Sequence, residues 1–161
     1  MESLRRALRN DREIHLDRAA LDMATIEFPK IDPRHYTGLL DTFARRIARR
    51  LKPGSDGPEY VREINRYLFE DLKLKGNETD YYNPKNSCLN EVLDQRLGIP
   101  ITLSLVYMEV ARRLGKTVNG IGLPGHFVIE YRDEHYSTFL DPFHAGREIA
   151  IEQAWEPASH A

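Results

Sequence analysis

An α+β domain, with helices first and a small antiparallel sheet last, is the fold class this sequence predicts, and three observations carry it. Through the first half, apolar residues recur every three or four positions, at Leu40, Phe43, Ile47 and Leu51 and again at Val61, Ile64, Leu68 and Leu72. After Gly115 the period falls to two. Between the two regimes, Ile101 to Leu114 is apolar on several faces, as a buried central helix must be. At 161 residues the chain fits one domain and can bury about 70% of its unfolded surface. Residues 1–75 form its helical part and residues 80–147 a core with the remaining elements.

The elements follow in order. A charged segment from about Leu4 to Thr25, marked by Leu16, Ala20 and Met23, predicts a surface helix that Pro29 and Pro33 interrupt. A second helix is expected from Tyr36 to Leu51. The turn Lys52-Pro53-Gly54-Ser55-Asp56-Gly57-Pro58 precedes a third from Glu59 to Leu74. The polar loop KGNETDYYNPKN leads to Ser87, an N-cap for a helix over Cys88 to Leu97, with Gly98 at C′. Pro100 suits the start of the central helix and Gly115 its end. Strands are then expected at Lys116–Leu123, His126–Tyr131 and Tyr136–Leu140, with turns at Pro124-Gly125 and at residues 132–135.

Composition excludes several classes. A net charge of −2 gives no field for nucleic acid or an anionic membrane. Arg45, Arg46, Arg49 and Arg50 are the strongest basic cluster, but no aromatic residues interleave them for base stacking. They read as a solvated helix face whose stems cover apolar neighbours. One cysteine permits no internal disulfide, which fits a reducing compartment. The N-terminus has no apolar signal region, and no run approaches the roughly 20 apolar residues that span a bilayer. The cytoplasm is the expected location, with no membrane and no nucleic acid as partner.

Cys88 is the first candidate for chemistry. At the predicted start of a helix, unpaired N–H groups and the macrodipole favour a thiolate, lowering a thiol pKa from about 8.5 toward about 3.5–7.5 when a cation is near. A lone cysteine is equally the small hydrophobe of a core. His126 opens a strand after Pro124-Gly125, where its imidazole can reach a helix N-terminus and move the thiol proton. A surface histidine in a turn is its other reading. Asp141 ends the next strand; counting outward from a loop centred near 133.5 sets residue 141 opposite residue 126. An aspartate there can fix the imidazole tautomer, although Asp-Pro is also a common turn. Cysteine, histidine and aspartate, each at an element end, form a combination that the separate readings do not explain.

That order resembles the transglutaminase-like superfamily of papain-related folds. The similarity is greatest to a bacterial branch described as transglutaminase-like domains of invasion-regulator type. It runs through Tyr82-Asn83-Pro84-Lys85-Asn86-Ser87-Cys88-Leu89-Asn90-Glu91, Arg96-Leu97-Gly98-Ile99-Pro100-Ile101-Thr102, Glu109-Val110-Ala111-Arg112-Arg113-Leu114-Gly115, Gly122-Leu123-Pro124-Gly125-His126-Phe127 and Leu140-Asp141-Pro142-Phe143. The resemblance implies a Cys88–His126–Asp141 site. Many members of the branch carry a bulky apolar residue in place of the cysteine, so a non-catalytic role is common there. Phe143-His144-Ala145-Gly146-Arg147 departs from the pattern, which has an asparagine followed by paired glycines, and leaves the shape of that loop open. The resemblance also implies a following region of tetratricopeptide-type repeats, which these 161 residues do not include.

Lower candidates are Asn83 and Asn86, which could donate an amide to an oxyanion or serve as turn and cap residues. His144 is an alternative base only three residues past Asp141. The histidines and the single cysteine match no zinc-ligand spacing, and neither calcium nor phosphate loops occur, so no metal or cofactor is expected. The expected function is cysteine-dependent acyl transfer or amide hydrolysis on a peptide or protein. The alternative is a regulatory, protein-interaction module using the same cleft.

Overall fold

The computed structural model describes residues 15–150. Helix α1 spans Leu16–Glu27 and turns Ala19, Leu21 and Ala24 inward. The first part of the segment expected from Leu4 lies outside the described residues. Helix α2 runs Pro33–Ala48 instead of 36–51. Pro33 opens this helix, because a proline at the first position loses only an N–H that would be unpaired. Asp32 caps it, accepting from the Arg34 N–H at 3.1 Å. Tyr36, Leu40, Phe43, Ala44 and Ile47 form its buried stripe.

Helix α3, Gly57–Asn65, begins with a reciprocal capping box between Asp56 and Glu59. It does not continue as an α-helix to Leu74. Residues Arg66–Asp71 widen into a π-helical turn that buries Tyr67 and Leu68 together. Lys73, at a φ of 59°, then ends the run. The arginines at the end of α2 and just past it are engaged on this surface: Arg50 pairs with Asp71 at 2.5 Å and lies 5.5 Å over the Tyr67 ring. Arg46 donates to the Tyr67 hydroxyl at 3.3 Å.

Two strands of two residues, β1 (Lys75–Gly76) and β2 (Leu97–Gly98), pair in parallel. They are too short for alternation to reveal them. Between them, a 3₁₀ turn at Pro84–Ser87 precedes helix α4, Leu89–Gln95. Both predicted caps of α4 are corrected. Cys88, not Ser87, is the N-cap, with φ −98° and ψ 117°. Arg96, at φ 63°, takes the left-handed closing position assigned to Gly98. Gly98 sits in β2, where a Cβ would strike the Thr102 hydroxyl. Helix α5, Pro100–Arg113, buries Leu103, Val106, Tyr107, Val110 and Ala111, and Gly115 at φ 76° releases the chain. It opens to solvent only at its two ends, at Ile101 and Arg112.

The sheet is antiparallel in the order β3 (Thr117–Leu123), β4 (His126–Arg132), β5 (Ser137–Asp141) and β6 (Arg147–Ile149). The three-residue β6 was not expected. Leu123 pairs with His126 across Pro124-Gly125, where Gly125 supplies the positive φ of 72° that a tight turn needs. Asp133 shapes the next turn by accepting from the His135 and Tyr136 N–H groups at 2.9 and 2.8 Å. Helix α5 lies between the sheet and the other helices. Its apolar residues meet Ile129, Tyr131 and Leu140 on one side and Leu21, Leu40, Ile64 and Leu89 elsewhere in one continuous core. Among the described residues, no helix is long and apolar enough to cross a membrane.

A charged cluster fastens α1 and α2 to the end of α5. Asp17, almost wholly buried, accepts from Arg113 at 2.6 Å, and Arg113 also reaches Asp41 at 2.6 Å. Glu109 holds Arg112 through two hydrogen bonds of 3.0 and 3.1 Å. Burial opposes ionisation of Asp17, but the Glu109 and Arg113 hydrogen bonds outweigh it and lower its pKa. Burial dominates at Glu109 and raises its pKa.

Candidate functional site

His126 and Asp141 meet at one end of the sheet, although not in the expected register. The ladder pairs Ile129 with Leu140 and Arg132 with Ser137, which moves the turn centre one residue beyond the predicted one and slips the pairing by two. A slip of two preserves the face because side chains alternate with period two. His126 therefore reaches Asp141 on the diagonal, with Nε2 3.0 Å from Oδ2. Asp141 is buried, and its Oδ1 accepts the Phe143 N–H at 3.1 Å. That bond orients the carboxylate so that Oδ2 faces the imidazole.

A second imidazole shares the same oxygen. After Asp141 the chain makes a 3₁₀ turn, Pro142–His144, in which residues three apart eclipse. His144 is thereby carried back over Asp141, with Nδ1 2.8 Å from Oδ2. Nearness in sequence, which ranked His144 low as a base, is what brings it in. The ligating atoms of His126, Asp141 and His144 lie within 4.8 Å of one another, a grouping able to hold a metal ion. The zinc-spacing rule missed it because the first histidine arrives from a neighbouring strand.

Cys88 follows the 3₁₀ turn as the N-cap of α4 and is half-buried. Among the described residues it makes no hydrogen bond to His126; its thiol faces the Pro84 carbonyl oxygen across 4.0 Å. Its own N–H donates to the Lys85 carbonyl at 3.1 Å. The expectation of a lowered thiol pKa is overturned. Burial, followed by the negative charges of Glu27 and Glu91, pushes the Cys88 thiol up.

The two asparagines upstream hold the loop. Asn86 is buried, and its amide nitrogen donates to the carbonyls of Asp80 and Tyr81 at 2.8 and 2.9 Å. Its Oδ1 accepts from Asn77 at 2.9 Å, while the Thr102 hydroxyl donates to its main-chain carbonyl at 2.9 Å. Both amide hydrogens are thus engaged, leaving none for an oxyanion. Asn83 caps the 3₁₀ turn by accepting from the Lys85 N–H at 3.0 Å, and donates to Asp80 at 2.9 Å. Tyr81 packs edge-on against Phe143 with ring centroids 5.8 Å apart, joining the cysteine loop to the turn after Asp141. Phe143 in turn covers Gly76, where a Cβ would strike its ring.

Comparison with known proteins bears on this architecture. A family model described as the transglutaminase-like superfamily matches residues 34–159. A UPF0162 protein of Xylella fastidiosa (strain Temecula1) is 36% identical over 149 residues, covering 92% of this chain and 53% of the relative. A UPF0162 protein of Pseudomonas aeruginosa is 32% identical over 124 residues, covering 77% of this chain and 45% of the relative. F-box only protein 21 of Mus musculus is 36% identical over 98 residues, covering 56% of this chain but 16% of that protein. The chain spans about half the length of the UPF0162 relatives from Xylella fastidiosa that it matches. No solved structure matches it. With an α+β core that fits and a family match over most of its length, the chain belongs to the transglutaminase-like superfamily.

Proposed function

We propose that this domain carries out cysteine-dependent acyl transfer or amide hydrolysis on a peptide or protein. Cys88 is the nucleophile, His126 the base and then the acid, and Asp141 the group that orients His126. The observation that carries this reading is the 3.0 Å bond between His126 Nε2 and Asp141 Oδ2. It holds the ring by one nitrogen and leaves Nδ1 to take a proton. In the first step Cys88 Sγ bonds to the carbonyl carbon as its proton passes to Nδ1 of His126. The imidazolium then protonates the departing amine, and water or a second amine opens the thioester. Exposed Tyr82, six residues before Cys88, and Ile101, beside the Thr102 that anchors Asn86, supply apolar surface for a peptide. Among the described residues Cys88 makes no hydrogen bond to His126, and contacts between a nucleophile and its base commonly tighten only in the substrate complex.

The test is covalent labelling of Cys88 by a glutamine-containing peptide carrying a chloromethyl ketone, followed by intact mass. His126→Ala and Asp141→Asn should slow labelling by about 10²–10⁴-fold, the usual contribution of a positioned base. Equal rates in all three proteins, tracking ordinary thiolate formation, would refute the enzymatic reading.

A second reading, a partner-binding module without turnover, is favoured by the raised thiol pKa and by the contact of Cys88 with Pro84. It predicts that Cys88→Ala retains all partner binding.

A further inference from the structure

The proposed thiol chemistry needs one imidazole on Asp141, and the fold supplies two. We infer that His126, Asp141 and His144 form a binding site for a divalent transition cation of the zinc class. His126 Nε2 and His144 Nδ1 lie 3.0 and 2.8 Å from the same oxygen, Asp141 Oδ2. Ligands in adjacent positions around a metal with bonds of about 2.0–2.2 Å stand about 3–3.5 Å apart, so the two separations from Oδ2 suit a shared ion, whereas the three ligating atoms together span up to 4.8 Å and the imidazoles must draw together to close on it. The carboxylate is already fixed as a one-oxygen ligand, because its Oδ1 is held by the Phe143 N–H at 3.1 Å. Such an outer bond is what a metal-binding carboxylate ordinarily carries.

The elements that present these groups are well anchored. His126 begins a strand paired along its length with β3, and Asp141 ends one paired with β4 and β6. His144 sits on a 3₁₀ turn whose Phe143 is clasped by Tyr81 and Gly76. The rings are separated by 6.3 Å between centroids and inclined at 47°, so they approach from different sides and leave room for an ion beside the carboxylate. His144 is 47% exposed at its side chain, which gives an ion a route from solvent. Neutral imidazole allows the required tautomers: the proton of His126 moves to Nδ1 and that of His144 to Nε2, freeing the nitrogens that face Asp141.

Two imidazoles and one carboxylate select the cation. Imidazole nitrogen suits zinc, cobalt, nickel or iron, whereas calcium and magnesium demand more oxygen ligands than this cluster offers. Three protein ligands leave a coordination position for water or an incoming group. Binding of the ion needs neither Cys88 nor the acyl-transfer reading, and it opposes that chemistry, because the ion takes the Nε2–Asp141 pairing and leaves the proton on the Nδ1 that would receive it from the thiol.

The experiment uses the tag-free chain, stripped with a chelator and titrated with Zn²⁺ by calorimetry, with Co²⁺ added in parallel to read ligand geometry by visible absorption. One ion per chain is expected. His144→Ala should weaken affinity by about a hundredfold or more, since even outer-shell losses cost about 10–100-fold. Melting curves without metal verify that this variant folds. Cys88→Ser and His135→Ala should bind as the parent does, His135 being an exposed histidine away from the cluster. Absence of one-to-one binding, affinity that survives His144→Ala, or affinity lost with His135→Ala would overturn the assignment.

Discussion

Two aspartates in this protein each gather several cationic or potentially cationic side chains, yet they do opposite work. Asp17 lies in the first turn of α1 and receives Arg113, with Arg112 3.9 Å away. Asp141 lies at the sheet end and receives His126 and His144. Guanidinium stays charged at every ordinary pH and is held in place by further carboxylates, so the first cluster can only fasten helices together. Imidazole is neutral or charged near neutrality and has a second nitrogen to use, so the second cluster has the chemistry that the proposed proton transfer and the proposed metal site each require. The partner of the carboxylate, more than the carboxylate, separates scaffold from site.

The comparison is broken most severely by Arg113→Ala. It leaves Asp17 buried without its main counter-ion, and unfolding in denaturant should show a loss of about 3–5 kcal/mol. A loss below about 1 kcal/mol would mean that Arg112 takes over the pairing. Asn86→Ala comes next. It strands the Asn77 amide and the carbonyls of Asp80 and Tyr81, and should cost about 2–3 kcal/mol while exposing residues 77–87 to limited proteolysis.

A third prediction concerns pH. The folded pKa of Asp17 is lowered, so its stabilisation is present above the unfolded value near 3.8 and is lost as pH falls through the folded value. Asp17→Asn should therefore lower the melting temperature at pH 7, with the difference closing as pH falls through the lowered folded value. Glu109 has the opposite sign. Its raised pKa gives stability below the unfolded value near 4.5 that is lost as pH rises through the folded value. Glu109→Gln should accordingly cost less than Asp17→Asn at pH 7. The reverse ranking would assign the buried charge to Glu109.

The smallest effect is kinetic. With the thiol pKa raised, iodoacetamide should alkylate Cys88 slowly at pH 7 and about tenfold faster per pH unit up to pH 8. Glu91→Gln removes one of the charges that oppose the thiolate and should raise the rate at pH 8 by about two- to threefold. A plateau of reactivity below pH 7 would mean that His126 already activates the resting thiol.

Much of this was readable from local pattern. The alternation after Gly115 located β3, β4 and β5 to within a residue or so, because a half-buried strand must alternate. The apolar run from Ile101 identified α5 as the central helix, since such a surface has nowhere else to go. Pairing His126 with Asp141 needed only a hairpin and face parity, which tolerated a register error of two. The elements missed carry too little sequence for a period: β1, β2 and β6 have two or three residues each. The cap of α4 was misplaced by one residue because Ser87 has the preferred chemistry, while the 3₁₀ turn before it fixes the backbone at Cys88.

By itself, then, the sequence determined the order of helices and strands, the central helix, and the residue types able to do chemistry. These follow from periodicity and side-chain identity, which are local properties. Tertiary structure decided what each candidate faces. Glu27 and Glu91 approach Cys88 and turn its expected activation around. The loop claims the amide hydrogens of Asn86. A 3₁₀ turn folds His144 onto the oxygen that His126 already holds. Charge and hydrogen-bond energies fall off over a few ångströms, so they depend on distances that no spacing along the chain can fix.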